Sequence, residues 1–259
     1  MELEKITLTI NGHQIYIEKY HGGNQALIVL LHHGLGSVQA WQKNIPSLIE
    51  NGFTVWNYDR WGYGGSSDRP ILDPPWFNDD VSDLFEILKG QAKPIFLVGH
   101  SDGGNIALSY TLKYPQNISG LIIVAAHIYI ELKMVEGMMG LMNAYRDRSA
   151  FKKGLERIHG QKAVFERWWK SWTNLPPNWD MRTKLGEIQC PVLVIQGDED
   201  EHATPKHALD LAHALPGGEA EIISKAKHML PQDDYERFNP LMLTFVHRVL
   251  KKESEIDVQ

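Results

Sequence analysis

At 259 residues, 43% of them hydrophobic, the chain suits one domain with a large core plus an insertion, and it is too short for a second full domain. Its net charge of −6, without a basic cluster, argues against nucleic acid or an anionic membrane as the main partner. Residues 1–5 are charged and no apolar run reaches the length of a membrane helix, so we expect a cytoplasmic protein, a monomer or homodimer.

The chain is predicted to begin with an antiparallel hairpin, because residues 6–10 and 14–18 alternate in polarity around Asn11-Gly12. Six further strands are predicted at residues 26–31, 53–58, 94–98, 121–126, 191–196 and 219–224. Helical stretches separate these strands, which predicts an α/β fold with a mostly parallel sheet and helices on both faces. Residues 251–259 are expected to be solvated and without regular structure.

The alternation of strands and helices stops at residues 127–184, which we predict to be a helical cap inserted into a core of residues 1–126 and 185–259. The segment is rich in methionine and tryptophan, and most of these side chains are expected to pack the cap onto the core. A few are expected to line a substrate cavity, and Met138, Trp168 and Trp169 are the candidates. A lid in this position would exclude water from the site beneath it.

A candidate nucleophile lies in the sequence GHSDG at residues 99–103, between the apolar strand 94–98 and a helical pattern at 105–110. The glycines permit the sharp strand-to-helix turn that lifts a serine side chain clear of the sheet, so Ser101 is the predicted nucleophile. The alternative is a glycine-rich turn in which the serine has no catalytic role. Evidence from the rest of the chain is needed to choose between these two interpretations.

A serine nucleophile needs a histidine base and a carboxylate that orients it. The strand 191–196 runs into the acidic sequence GDEDE at 197–201, and the loop after the last strand ends in His228, the predicted base. In hydrolases with this type of turn the chain order is serine, then acid, then histidine, and Ser101, the acidic turn and His228 follow that order. Residue chemistry alone leaves Asp198, Glu199 and Asp200 open as the acid.

Three motifs in order carry a resemblance: HGLGS at 33–37, DRWGYGGS at 59–66 and GHSDGG at 99–104. On these the chain resembles the α/β-hydrolase superfamily, and within it the capped, valacyclovir-hydrolase-like and related esterase group, over nearly its whole length. In that group the third residue after the glycine of the acid turn is the catalytic acid, which implies Asp200, with Asp198 as second choice. The fold also implies an oxyanion hole made by the main-chain N–H groups of Leu35 and Asp102.

The adjacent His32 and His33 are expected to support the loop that follows them. A metal site is disfavoured, because neighbouring side chains on a strand point to opposite faces and no further ligand stands at a suitable spacing. Cys190 is the single cysteine and is assigned no catalytic role.

Asp102 has two interpretations. In valacyclovir hydrolase, which the chain resembles at this turn, the matching aspartate is taken to bind the α-ammonium group of amino-acid esters, which implies the same substrate-binding role here. The alternative is a carboxylate that stabilises the start of the following helix, where unpaired amides and the helix dipole favour an anion.

The function expected from the sequence is a serine esterase that cleaves a small to medium carboxylic ester, with amino-acid esters among the candidate substrates, through an acyl-enzyme without a cofactor or metal. A carbon–carbon bond hydrolase of the ring-fission type and a perhydrolase use the same three residues and are the alternatives. Dehalogenase and epoxide hydrolase chemistry is disfavoured, because those relatives place an aspartate where Ser101 stands. A ligand receptor with an inactive site is the alternative from another class.

Overall fold

The computed structural model describes residues 2–92, 94–116 and 118–256. Its strands are β1 (Glu2–Ile10), β2 (His13–His21), β3 (Leu27–Leu31), β4 (Thr54–Tyr58), β5 (Ile95–His100), β6 (Ile118–Val124), β7 (Val192–Gly197) and β8 (Gly218–Ile223). Its α-helices are α1 (Ile45–Glu50), α2 (Asn78–Leu88), α3 (Asp102–Lys113), α4 (Leu132–Asp147), α5 (Ser149–His159), α6 (Val164–Trp172), α7 (Arg182–Leu185), α8 (Pro205–His213), α9 (Leu230–Asp233) and α10 (Tyr235–Ile256). A 3-10 turn spans Val38–Trp41.

The strands form one eight-stranded sheet in the order β1-β2-β4-β3-β5-β6-β7-β8. The predicted hairpin is present, and its turn residues Asn11 and Gly12 have φ values of 50° and 87°, as a two-residue turn that follows the twist of the strands requires. Strand β2 pairs antiparallel with β4, and all pairs from β4 to β8 are parallel.

Two apolar clusters lie on opposite faces of the sheet. Helices α2, α3 and α8 contribute to one cluster, and α1 and α10 contribute to the other. Strands β3, β4 and β5 are buried along their whole length, which explains why β3 is entirely apolar and why β4 and β5 are largely so. The predicted α/β architecture, a mostly parallel sheet with helices on both faces, is confirmed.

The parallel strands bring distant segments of the chain to one edge of the sheet. Strands β3, β5, β7 and β8 all end at that edge, so the loops that follow them are neighbours in space. These loops carry Leu35, Ser101, Asp200 and His228.

Helices α4 to α7 fill the segment between β6 and β7, where a helical insertion is predicted. An isolated antiparallel bridge between Tyr129 and Asp180 brings the two ends of the segment together. Many of its apolar side chains are buried, as expected for packing onto the core: Met134, Met138, Trp168, Trp172 and Trp179. The exact division at 126/127 and 184/185 stays a prediction.

The carboxyl end of the chain differs from the expectation. Helix α10 continues to Ile256, so the prediction of irregular structure was wrong for residues 251–256, while 257–259 lie outside the described residues. The helix is anchored where Phe238, Met242 and Phe245 pack on the sheet, and its propagation is cooperative. Lysine and glutamate favour the helix beyond that point. Within the described residues, no helix is both long and apolar enough to cross a bilayer.

Gly103 and Gly140 offer a matched test of the packing of α3. A Cβ at Gly103 would collide with the carbonyl oxygen of Leu31, whereas a Cβ at Gly140 meets no atom within 4 Å. Gly103→Ala is expected to lower the free energy of unfolding by about 1–3 kcal/mol, as overpacking does. Gly140→Ala, in a helix interior, is expected to raise it by about 0.5–1 kcal/mol. Urea denaturation measures both, and a Gly103→Ala variant as stable as the wild type would contradict the close packing.

Candidate active site

Ser101 occupies the sharp turn between β5 and α3. Its φ of 54° and ψ of −118° lie in a region that residues with a side chain rarely adopt. The turn is held by its main-chain groups: the N–H of Ser101 donates to the carbonyl of Val124 at 2.8 Å, and its carbonyl accepts from the N–H of Gly104 at 2.8 Å. A Cβ at Gly99 would collide with the backbone of the first turn of α3. This is the strained elbow that the glycine pattern predicts.

Asp200 lies against the imidazole of His228. Its two carboxylate oxygens are 3.1 Å and 3.0 Å from His228 Nδ1, and the aspartate is only 1% exposed. Asp198 and Glu199 are exposed, and Asp198 instead accepts a hydrogen bond from the N–H of Lys225 at 2.5 Å. Among the acids that the sequence left open, the structure therefore pairs Asp200 with the histidine.

The ionisation of this pair follows from its surroundings. Burial by itself raises the pKa of Asp200, but the charge and hydrogen bond of His228 and the N–H of His202 outweigh it and hold that pKa below its usual range. Burial lowers the pKa of His228, yet Asp200 outweighs burial and the net shift is upward from 6.5. The aspartate is therefore an anion, and the imidazole is basic enough to accept a proton.

The backbone of His228 is held from both sides by residues whose roles were not predicted. Its N–H donates to Glu201 Oε2 at 2.9 Å, and its carbonyl accepts from His100 Nε2 at 2.9 Å. A sequence signal existed for each, since Glu201 belongs to the acidic turn and His100 precedes the serine. Neither signal says that the partner is the main chain of the loop after β8.

Several other histidines surround His228, and burial lowers the pKa of each. The pKa falls to about 3 for His33 and His127 and to about 4 for His202, while that of His100 lies well below its ordinary value. These rings are therefore neutral near pH 7, and His228 is the histidine of this group whose pKa shifts upward.

Ser101 and His228 open onto one cavity of about 610 Å³, a size that suits a small ligand. Its apolar wall comes largely from the inserted helices: Met134, Met138, Leu141, Phe151, Leu155 and Trp168. Of the predicted substrate contacts, Asp102, Met138 and Trp168 line the cavity. The structure does not bring Trp169 to it, because that ring stacks on Phe165, with 6.3 Å between the centroids.

The loop after β3 lies beside Ser101. Leu35 lines the cavity, and its N–H donates a long hydrogen bond to His33 Nδ1 at 3.4 Å, an acceptor that an oxyanion would have to replace. Asp102 is the first residue of α3, so its N–H has no acceptor within the helix. Both predicted oxyanion donors thus lie at the edge of the cavity that carries Ser101.

The two adjacent histidines contact the loop, in line with the expected support. His32 is fully buried, its Nδ1 donates to the carbonyl of His33 at 2.8 Å, and its Nε2 accepts from the N–H of Arg60 at 3.2 Å. In residues 2–92, 94–116 and 118–256, no group of three or more histidine, cysteine or acidic side chains is arranged to hold a metal ion.

The carboxylate of Asp102 is already engaged. Its Oδ1 accepts from the indole N–H groups of Trp168 at 3.3 Å and Trp172 at 3.2 Å, and its Oδ2 from Arg60 Nη2 at 3.5 Å. Arg60 also pairs with Asp80 at 3.4 Å. In the described part of the chain these donors to Asp102 are all side chains, so the carboxylate joins α3 to the inserted helix α6 and to a buried arginine.

The chain is similar in sequence to known hydrolases. The model of the family described as serine aminopeptidase, S33 matches residues 22–171. Serine hydrolase BPHL of Homo sapiens is 28% identical over 92% of this chain and 85% of its own length. A 2-hydroxy-6-oxononadienedioate/2-hydroxy-6-oxononatrienedioate hydrolase of Burkholderia vietnamiensis is 26% identical over 87% of this chain and 88% of its own.

Among solved structures, the esterase EaEST from Exiguobacterium antarcticum superposes with a TM-score of 0.76 at 22% identity, covering 94% of this chain and 100% of the other. At that identity the likeness shows the fold alone. Together with the family match, it establishes that this chain belongs to the serine aminopeptidase S33 family of hydrolases and has the α/β-hydrolase fold.

Proposed function

We propose that the protein is a serine esterase that hydrolyses carboxylic esters with a small to medium, apolar and uncharged acyl group through an acyl-enzyme. The observation that carries the proposal is His228, which is paired with Asp200 and lies on the wall of the same cavity as the strained elbow of Ser101. The coarser activity, hydrolysis, follows from the family.

In the proposed first step Ser101 Oγ attacks the acyl carbon while its proton passes to His228 Nε2. Asp200 accepts the hydrogen bond from Nδ1–H, which fixes the tautomer and stabilises the imidazolium that forms. The proton then passes to the departing alcohol and leaves an acyl-enzyme. Water attacks this ester by the same proton path in reverse and releases the acid.

Negative charge develops on the former carbonyl oxygen in both steps. The N–H groups of Leu35 and Asp102 are the donors proposed to hold it. One such donor is worth about 2.7–4 kcal/mol in a hydrolase of comparable mechanism. Because both donors belong to the main chain, their position depends on how the surrounding loops are held.

The preference for an uncharged acyl group rests on the cavity wall. Most of the wall is apolar. Glu201 in this wall accepts from the N–H of His228, and Asp102, which follows Ser101 in the chain, already faces Arg60 and two indole N–H groups. A substrate ammonium would have to compete with these donors for the same two oxygens. An apolar acyl group instead replaces water along the methionine and tryptophan side chains, which favours binding.

Hydrolysis of a carbon–carbon bond is the second candidate, because a relative is named for a dioate substrate. A dioate carries two carboxylates, and a site for it needs a cation in the wall. Among the described residues that line the cavity, none is a lysine or arginine. The lining therefore favours the ester over a dianionic substrate.

Covalent labelling tests the nucleophile. A fluorophosphonate probe is expected to label the wild-type protein and to leave Ser101→Ala unlabelled, and aryl esters of two to eight acyl carbons are expected to be hydrolysed only by the wild type. Ring-fission dienoates and peracid formation belong in the same panel. Turnover of the dienoate without turnover of esters would favour the second candidate, and absence of labelling would favour a non-catalytic receptor.

The pH dependence of kcat/KM tests the base. His228 must be neutral to accept the serine proton, and its pKa is raised from 6.5 because Asp200 faces it. Activity is therefore expected to fall tenfold per pH unit on the acid side, with the midpoint of the decline above pH 6.5. Asp200→Asn is expected to lower kcat about 10⁴-fold, because the ring tautomer is no longer fixed. An acid limb centred well below pH 6.5 would exclude His228 as the base.

Asp102→Asn tests the acyl preference. The variant is expected to lower kcat/KM for an α-amino ester and for its uncharged acyl analogue by the same factor, within about threefold. It is also expected to lose about 3 kcal/mol of unfolding free energy, because Arg60 loses a charged partner. A loss confined to the α-amino ester would show that Asp102 binds the ammonium group.

Asp80→Asn is the matched control, since it removes the other carboxylate partner of Arg60 away from the cavity wall. It is expected to destabilise the fold by at least as much, because Asp80 also pairs with Arg69 at 2.5 Å, and to leave the ratio of the two kcat/KM values unchanged.

A further inference from the structure

We propose that His159, at the end of helix α5 in the inserted segment, is a positioning residue for the oxyanion hole, an inference that rests on the proposed function. His159 is 1% exposed and lies behind the cavity wall, so its side chain does not meet the substrate. It acts on Leu35, whose N–H is one of the two proposed oxyanion donors. Neither the sequence motifs nor the family match assigns it a role.

The imidazole of His159 joins two loops of the core. Its Nε2 donates to the carbonyl oxygen of Leu35 at 3.1 Å, in the loop after β3. Its Nδ1 accepts from the N–H of Gly64 at 3.0 Å, in the loop after β4. The ring also meets Tyr63 edge to face, with 5.8 Å between the centroids. One side chain of the insertion therefore bridges the oxyanion loop and its neighbour.

Both contacts require the same protonation state. The carbonyl of Leu35 needs a proton on Nε2, while the N–H of Gly64 needs a lone pair on Nδ1, so the ring must be the neutral Nε2–H tautomer. Burial is the largest cause that lowers the pKa of His159, to about 4, which keeps the ring neutral near pH 7. The bridge is thus complete without any proton exchange at working pH.

Within the loop after β3 the N–H of Gly36 donates to the carbonyl of His33 at 3.0 Å. Gly34 and Gly36, which flank Leu35, carry no side chains that fix the backbone, so a bond to the Leu35 carbonyl adds a further restraint. At its far end the loop is already tied to the core. Asp59 accepts from the N–H of Val38 at 2.7 Å and from the N–H of Gly65 at 2.7 Å, so it joins the two loops there.

His159 makes the corresponding tie at Leu35 itself, next to the reacting centre. A hydrogen bond to the Leu35 carbonyl limits rotation about the bonds of that residue, and with it the direction of its N–H. The inserted segment therefore does more than cover the cavity, because it also fixes the N–H of Leu35 that stabilises the oxyanion.

The test compares His159→Gln, His159→Asn and His159→Ala. A glutamine amide nitrogen reaches the place of Nε2 and keeps the donor to Leu35, whereas asparagine is too short for it. We expect His159→Asn and His159→Ala to lower kcat/KM about 10–100-fold with little change in KM, as a misplaced donor does. His159→Gln is expected to stay within about fivefold of the wild type.

A trifluoromethyl ketone gives a readout that a purely structural role would not move. The ketone forms a tetrahedral adduct whose oxyanion occupies the hole, so its Ki is expected to rise by the same factor by which kcat/KM falls. Thermal unfolding of each variant checks that the fold is intact. A Ki unchanged in His159→Asn, or equal losses in the glutamine and asparagine variants, would overturn the proposal.

Lys162→Met is the matched control. Lys162 also ties the insertion to the loop after β4, through the carbonyl of Gly64 at 2.8 Å, and it contacts the carbonyl of His159 at 3.2 Å without touching Leu35. It is expected to change the ketone Ki less than threefold. A rise in the ketone Ki as large as that in His159→Ala would show that the effect comes from the general docking of the insertion. The specific hydrogen bond to Leu35 would then not be its cause. Failure of the wild type to react with a fluorophosphonate would instead refute the proposed function itself.

Discussion

The first turn of helix α3 packs on the carbonyl groups of β3 without a side chain between them, because Gly103 stands where any Cβ would meet Leu31. This close approach fixes the direction in which α3 leaves the sheet. It also forces Ser101 into its left-handed conformation and places the start of α3 beside the loop that carries Leu35. The proposed nucleophile Ser101 and both proposed oxyanion donors therefore have their relative positions set by backbone packing, which resists change more than side-chain contacts do.

A second level of organisation comes from buried charge. Asp102, Arg60, Asp80 and Arg69 alternate in sign and are all nearly inaccessible. Each charge has an opposite neighbour, which offsets the cost of removing it from water. Because the indole N–H of Trp168 also reaches Asp102, the same network holds the inserted helix α6 over the site. Hydrogen bonds and ion pairs thus connect the wall of the cavity to the turn that carries Ser101.

The insertion meets the core at several points around the site, and these contacts differ in kind. Glu131, just before α4, accepts from the N–H and the hydroxyl of Thr204 at 2.6 Å and 2.9 Å, next to the loop that carries Asp200. His159 contacts the loop after β3 and the loop after β4. The turn that carries Asp200, the start of α3 and the loop after β3 are each adjacent to a contact with the insertion, so the position of the insertion and the geometry of the site are linked.

By itself the sequence determined the strands, the hairpin and the parallel architecture, because unbroken apolar runs and the Asn11-Gly12 turn are local signals. It also singled out Ser101 and His228, whose surroundings in the chain are distinctive. The choice of Asp200 as the candidate acid came only from the resemblance to α/β-hydrolases, because the three neighbouring carboxylates have the same chemistry.

Only the tertiary structure decided which carboxylate is buried against His228, what Asp102 contacts, and that Trp169 packs away from the cavity. It also decided that His159 bridges two core loops. The physical reason is that these facts depend on contacts between residues far apart in the chain. Local pattern carries no information about which distant partner a side chain will meet.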